Sequence, residues 1–204
     1  MPAAKTIEVL PVKVSTFKVR IESTAPMLRN KMAEESVKAI RAKSEGTPKE
    51  KAEAIDPDTE WLKSLHVMPS YGKKAGQKGC RYGMPAQAIH DSMIAACSFL
   101  EGITKVQARG SIQVIPQEGC LVEIKGTPVC DIQTFPNKRG VAVTSHRARF
   151  DAWSATLTIS YAVRVITPDM IVNLLNSAGF YIGLGSRRRQ TGNSNGTFRV
   201  VGSD

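Results

Sequence analysis

Residues 7–22 read as one long strand in which apolar and polar positions alternate from Val12 onward, so that Val12, Val14, Phe17, Val19 and Ile21 nearly share one face. A slip in the alternation at Ser15-Thr16 predicts a half-buried strand with a bulge at that point. Residues 30–56 are rich in Lys, Glu and Ala, which predicts an exposed helix followed by a polar linker around Gly46-Thr47-Pro48. A short helix over 58–66 would turn Trp61 and Leu65 inward. Pro85 suits the first position of the next helix, whose stripe is Ala86, Ile89, Met93, Cys97 and Leu100, with Gly102 placed to end it. From 103 to 133 the pattern predicts strands, with turns at 116–119 and 125–128. After a turn at 136–140, strands continue over 141–143 and 153–166, where Leu157, Ile159, Tyr161, Val163 and Val165 alternate without a slip. Thr167, Pro168 and Asp169 open a helix as cap, first residue and dipole partner. Its stripe is Met170, Ile171, Leu174, Leu175 and Ala178; Gly179 would stop it, and strands would follow at 180–184 and 198–201.

The order strand–helix–strand, strand–helix–strand predicts an α+β fold. The expected form is a ferredoxin-like (RRM-like) antiparallel sheet with two helices. The whole chain, 1–204, is read as one such domain. Residues 27–83 form a helical and loop insertion in the first crossover, and 119–149 add extra β-hairpins. No run of eighteen apolar residues is present, and the first residues lack the apolar core of a signal peptide, so a cytoplasmic protein without a membrane span is expected. The four cysteines, at 80, 97, 120 and 130, include no C-x-x-C pair and no histidine at zinc spacing. Reduced thiols, no metal site and no cofactor are expected.

Charge narrows the reading. The formal net charge is +10, and it is unevenly spread. Residues 84–140 are neutral, with five cations against five acids, whereas 141–204 carry seven cations against three acids. Residues 68–83 hold four glycines, four cations and two tyrosines and read as a loop. Within it, Tyr71 and Tyr82 are candidates to stack on unpaired bases, and Lys73, Lys74, Lys78 and Arg81 to follow a phosphate backbone. Packing of the two tyrosines as loop anchors is the competing reading. A second loop follows the last helix, where Gly183 and Gly185 permit close backbone approach and Arg187, Arg188 and Arg189 offer guanidinium forks to phosphate. Its glycine spacing does not match a dinucleotide or P-loop fingerprint. Arg147 and Arg149 alternate outward on a predicted strand and would extend the groove.

The run Gly179-Phe-Tyr-Ile-Gly-Leu-Gly-Ser-Arg-Arg-Arg after a terminal helix resembles the C-terminal glycine-rich loop of the RAMP superfamily, the CRISPR-associated backbone and RNA-processing subunits. Gly83-Met-Pro-Ala-Gln-Ala-Ile-His-Asp-Ser-Met-Ile is similar to the entry to the first helix of the backbone subunits, but has Asp91 and Ser92 where those have Lys-Gly. Arg147-Ala-Arg-Phe-Asp-Ala-Trp-Ser154 with the last loop looks like bacteriophage relatives. The resemblance implies a non-catalytic protein that binds RNA or single-stranded DNA. It also implies assembly into a homo-oligomer or filament along the strand, within a ribonucleoprotein complex. Two alternatives stand beside it. One is a metal-independent endoribonuclease, for which His146, flanked by cations, is the best candidate among His66, His90 and His146. The other is a viral structural protein whose basic loops contact DNA.

Overall fold

The computed structural model describes residues 11–32, 34–46, 56–136 and 140–203. The start of the first predicted strand before residue 11, the linker centre at Thr47-Pro48 and the turn residues 137–139 lie outside the described residues.

Strand β1 (Val14–Ser23) buries Val19 and Ile21 and half-buries Phe17, while Lys18 and Arg20 face solvent. Its irregularity lies between Arg20 and Ile21, against the last strand, and not at Ser15-Thr16, where pairing is regular. The insertion then runs through β2 (Met27–Leu28), α1 (Glu34–Ser44) and α2 (Pro57–Glu60). A 3₁₀ turn, Trp61–Ser64, leads to β3 (His66–Val67). Leu65 is buried and Trp61 half-buried, as the sequence pattern requires. The glycine-containing segment before residue 85 ends in a short strand, β4 (Tyr82–Pro85), and α3 (Ala86–Ala96) follows directly.

Residues 105–111, expected as strand, form a helix, α4 (Lys105–Ser111). Thr104 caps it by accepting from the Gln107 N–H at 3.2 Å, while the Gln107 side chain accepts from the Thr104 N–H at 3.0 Å. This reciprocal box outweighs the β preference of Val106, which is left in solvent. Strands β5 (Ile112–Ile115), β6 (Leu121–Ile124), β7 (Pro128–Pro136), β8 (Ala142–Phe150) and β9 (Ser154–Ala162) come next. Helix α5 (Pro168–Ser177) and β10 (Phe198–Ser203) complete the chain.

Among the described residues the strands form three antiparallel sheets rather than one. The largest has the order β10-β1-β9-β5, with β1 and β9 paired from Val14↔Ala162 to Glu22↔Ser154. Ala155, Leu157, Ile159 and Tyr161 of β9 share the buried face with Val19, Ile21, Ile112 and Val114. Helices α3 and α5 pack on that face and on each other, through Ile89, Met93, Ile171, Leu174 and Leu175. The hairpin β7–β8 pairs with β2 to make the second sheet, and β3-β4-β6 is the third. Both lie within the chain spans read as insertion and extension, but they pair with each other's neighbours instead of lengthening the main sheet. Among the described residues, no helix is long and apolar enough to cross a membrane.

Candidate nucleic-acid interface

Helix α5 starts as its sequence dictates: the Thr167 hydroxyl accepts from the Met170 N–H at 3.3 Å, and Pro168 occupies the first turn. It does not stop at Gly179. The backbone widens into a π-helical turn, Ala178–Ile182, in place of the predicted strand. Gly179 serves packing instead, because a Cβ there would lie 2.0 Å from the Phe198 carbonyl oxygen. The helix ends at Gly183, whose N–H donates to the Ala178 carbonyl at 2.8 Å with φ at 75°.

The loop that follows is stitched to the segment after β1. Leu184 N–H donates to Gly196 O and Ser186 N–H to Leu28 O, both at 2.8 Å, and Gly196 N–H donates to Pro26 O at 2.7 Å. The hydroxyl of Thr24 donates to that of Thr197 at 2.7 Å. Gly185 has φ of 81°, and a Cβ on it would meet the Leu28 carbonyl oxygen at 2.3 Å. The Ser186↔Leu28 bridge makes the loop an added edge of the β2–β8–β7 sheet. Arg187 then takes a left-handed conformation, φ 49°, the one such non-glycine position among the described residues. Arg189 opens a 3₁₀ turn, Arg189–Thr191, closed by Thr191 bonding to the Arg188 carbonyl.

This seating brings two candidates together. Arg147 and Arg149 project from the same face of β8, opposite Ala148 and Phe150. Arg149 is compensated: it donates to Asp131 and to Asp151, each at 2.8 Å, and the Asp151 bond is the main reason its basicity rises. Arg147 is not. Among the described residues no carboxylate forms an ion pair with it. Burial first, and then the charge of Arg187, lower its pKa, with Asp131 offsetting part of the effect. Arg187, on the loop that Ser186 pairs to β2, is thus near enough to Arg147 on the adjacent strand β8 for its charge to act on it.

The loop over 68–83 forms a separate unit on the β3–β4–β6 sheet. Tyr82 is buried, sets its ring edge-on to Phe150 at 5.9 Å and accepts from the Gly76 N–H at 3.2 Å. It is a loop anchor, and its ring offers no face to a base. Arg81 is held by Glu123 and lies over the Tyr71 ring at 4.5 Å, which occupies one face of that tyrosine. The Lys73 ammonium donates to the Lys78 carbonyl at 2.8 Å, and the Lys74 N–H to Gln77 Oε1 at 2.9 Å, so the loop holds its own shape. Lys73, Lys74 and Lys78 stay exposed.

The three histidines stand on three different elements, β3, α3 and β8. His146 shares the strand parity of Ala148 and Phe150, away from the Arg147 face. His90, on α3, sits against Gln87 and Asp91. His66 has its Nδ1 at 3.0 Å from Nη2 of the buried Arg29, which also donates to the Gly83 carbonyl. Since guanidinium only donates, Nδ1 is the acceptor and Nε2 carries the proton. Burial, followed by the charges of Arg29 and Lys31, pushes the imidazole down to about 4.

Three residues absent from the sequence reading complete the picture. Phe180 and Tyr181, on the π-helical turn, meet Phe99, on the 3₁₀ turn Cys97–Phe99 after α3. Phe99 and Tyr181 stack at 4.5 Å with planes 8° apart; Phe180 stands edge-on to Tyr181 at 4.9 Å, and Arg189 lies 4.2 Å over the Phe180 ring. The signal was available. The stripe Ile171, Leu174, Leu175, Ala178 continues at helical spacing to Ile182, which leaves positions 180 and 181 outside. Ser92, where the backbone subunits would have glycine, is buried and donates to the Gly183 carbonyl at 3.4 Å, tying α3 to the loop. No family model matches this chain, and no curated protein matches it.

Proposed function

We propose that this protein binds single-stranded nucleic acid, RNA or DNA, along the cationic seam formed by Arg147 and the loop arginines Arg187, Arg188 and Arg189. The observation that carries this reading is the Arg147–Arg187 juxtaposition: two like charges drawn together by backbone pairing, with burial and mutual repulsion lowering the basicity of one of them. Cations brought onto one surface favour an anionic partner, and phosphate is the anion that guanidinium forks match. Lys73, Lys74 and Lys78 on the second loop extend the positive surface.

The scaffold in this reading is ferredoxin-like. Counting only the strands of the largest sheet in chain order gives a spatial order of 4-1-3-2, all neighbours antiparallel, with α3 in the first crossover and α5 in the second. That is the connectivity of a split βαβ pair. The glycine loop directly follows α5, in line with the order that the RAMP resemblance implies, and assembly of several copies along one strand belongs to the same proposal.

The test is fluorescence anisotropy of a labelled single strand against a blunt duplex of the same length, over a salt series. The log–log slope on single strands falls by about 0.7 for each phosphate contact removed. Replacing Arg187, Arg188 and Arg189 together with alanine weakens binding by at least about tenfold, since three charge-assisted contacts exceed the ~1.4 kcal/mol of one decade even when screened. Arg187 and Arg188 are half-buried and Arg189 packs on Phe180, so the melting temperature is followed beside the affinity, and the loss of binding is read on chain that is still folded. A triple variant that binds like the parent places the site elsewhere, and equal affinity for duplex and single strand favours the DNA-packaging alternative.

A further inference from the structure

The aromatic group at the end of α5 has no structural need for its exposure. Phe99 and Phe180 are each 52% exposed and Tyr181 40%. Their geometry is ordered: the Phe99 and Tyr181 rings lie parallel, so Tyr181 backs one face of Phe99 and the other face is turned to solvent. Arg189, two residues beyond Arg187, is clamped over Phe180 at the far end of the row. A row of rings that ends in a guanidinium suits a single strand, whose bases have π-faces and whose phosphates are anionic.

We propose that the open face of Phe99 is a stacking platform for one unpaired nucleobase, with Tyr181 as its rigid backing and Arg189, at the other end of the row, meeting a phosphate further along the strand. This site rests on the reading of the protein as a single-strand binder and adds what the arginine seam lacks, a means to prefer single strands. Bases within a duplex have their faces covered by their neighbours, whereas an unpaired base can leave the stack and lie on the ring.

Phe99→Ala, Phe99→Leu and Phe99→Trp in the full chain test this. Leucine keeps apolar bulk and removes the π-face; tryptophan restores and enlarges it. The expected result is about a tenfold loss of affinity for a mixed-sequence single strand in the alanine and leucine variants. Affinity for a blunt duplex stays at the parent value, and the tryptophan variant regains single-strand binding. A single 2-aminopurine in the oligonucleotide is quenched on binding the parent and not on binding the leucine variant. If the leucine variant binds and quenches like the parent while the triple-arginine variant loses affinity, the platform is overturned and the arginine seam stands. If the parent binds neither strand nor duplex, both fall together. Light scattering without oligonucleotide supplies the last check: a parent that self-associates and a Phe99→Leu variant that does not would assign this face to a second copy of the chain and overturn the platform.

Discussion

Arg29 spends its charge inside the protein. It is 4% exposed, forms no ion pair with a carboxylate among the described residues, and donates to His66 Nδ1 and the Gly83 carbonyl, joining the β2 and β3 edges of two small sheets. Burial brings its pKa down to about 10, so it remains charged at neutral pH. His66 can accept from it only while Nδ1 is unprotonated, and protonation would place two cations in contact. The consequence for stability has a definite sign. Above the ordinary histidine value of 6.5 the imidazole is neutral in both folded and unfolded chains and contributes no pH dependence. Between 6.5 and about 4 the unfolded chain takes up a proton that the folded one refuses, so stability falls as pH falls through that window, and below it the loss is complete. Arg29→Met removes the charge but keeps the site filled. The His66 titration followed by NMR should then move part of the way back toward 6.5, and the acid limb of the stability curve should flatten. A midpoint that stays near 4 would mean that burial alone sets it. Tyr82 makes a related point at this scale: tyrosine in a glycine-rich basic loop suits base stacking and loop anchoring equally, and only the position of Phe150 decides between them.

Among the elements, the glycine loop is the one whose rigidity matters most for function, and its glycines are not equivalent. Gly185 combines φ of 81° with a Leu28 carbonyl oxygen 2.3 Å from where a Cβ would stand, whereas Gly192, at φ of 80°, has open space around it. Gly185→Val should therefore cost at least about 2 kcal/mol in urea denaturation, because left-handed strain adds to the lost Ser186–Leu28 pairing. Gly192→Ala carries only the conformational term, about 1 kcal/mol. Equal costs for the two would mean that the loop is not stitched to β2. The elements themselves were unevenly legible. The alternation of Val19 and Ile21 in β1 and of Leu157, Ile159 and Tyr161 in β9, and the Thr167-Pro168-Asp169 start of α5, read directly from local periodicity and capping. Val12, Val14, Val163 and Val165, by contrast, continue the same patterns at the strand ends and are exposed. Helix α4 was hidden because Val106, Ile112 and Val114 suggested strands, although Thr104 and Gln107 carried a cap. The division into three sheets was not legible, since alternation says which face of a strand is buried but not which strand lies beside it. The Arg147–Arg187 seam depends on Ser186 pairing with Leu28, far away in sequence, and no local pattern encodes that contact.

At the scale of the whole molecule, a formal charge of +10 on a 204-residue chain opposes association of free copies, since like-charged surfaces repel within a Debye length. A bound polyanion removes that repulsion and leaves the apolar contacts to act. One such contact is available in the insertion. On α1, Val37 and Ile40 lie three residues apart on one face, 44% and 57% exposed, and Met32 just before the helix is 56% exposed. Solvent-facing aliphatic groups on an otherwise polar helix suit a neighbouring copy, and contacts of this head-to-tail kind need not close into a ring. Assembly should therefore depend on the strand. Light scattering is expected to give a monomer for the free protein and a particle whose mass grows with oligonucleotide length, shrinking again as salt rises. Val37→Glu with Ile40→Glu should abolish that growth on long strands. Binding to an oligonucleotide short enough for one copy should remain as in the parent, since neither residue touches the arginine seam. A monomer with and without a long strand would exclude assembly altogether. Growth unaffected by the double substitution would move the copy-to-copy contact away from α1, leaving the exposed edge of β10 in the largest sheet as the next surface to alter.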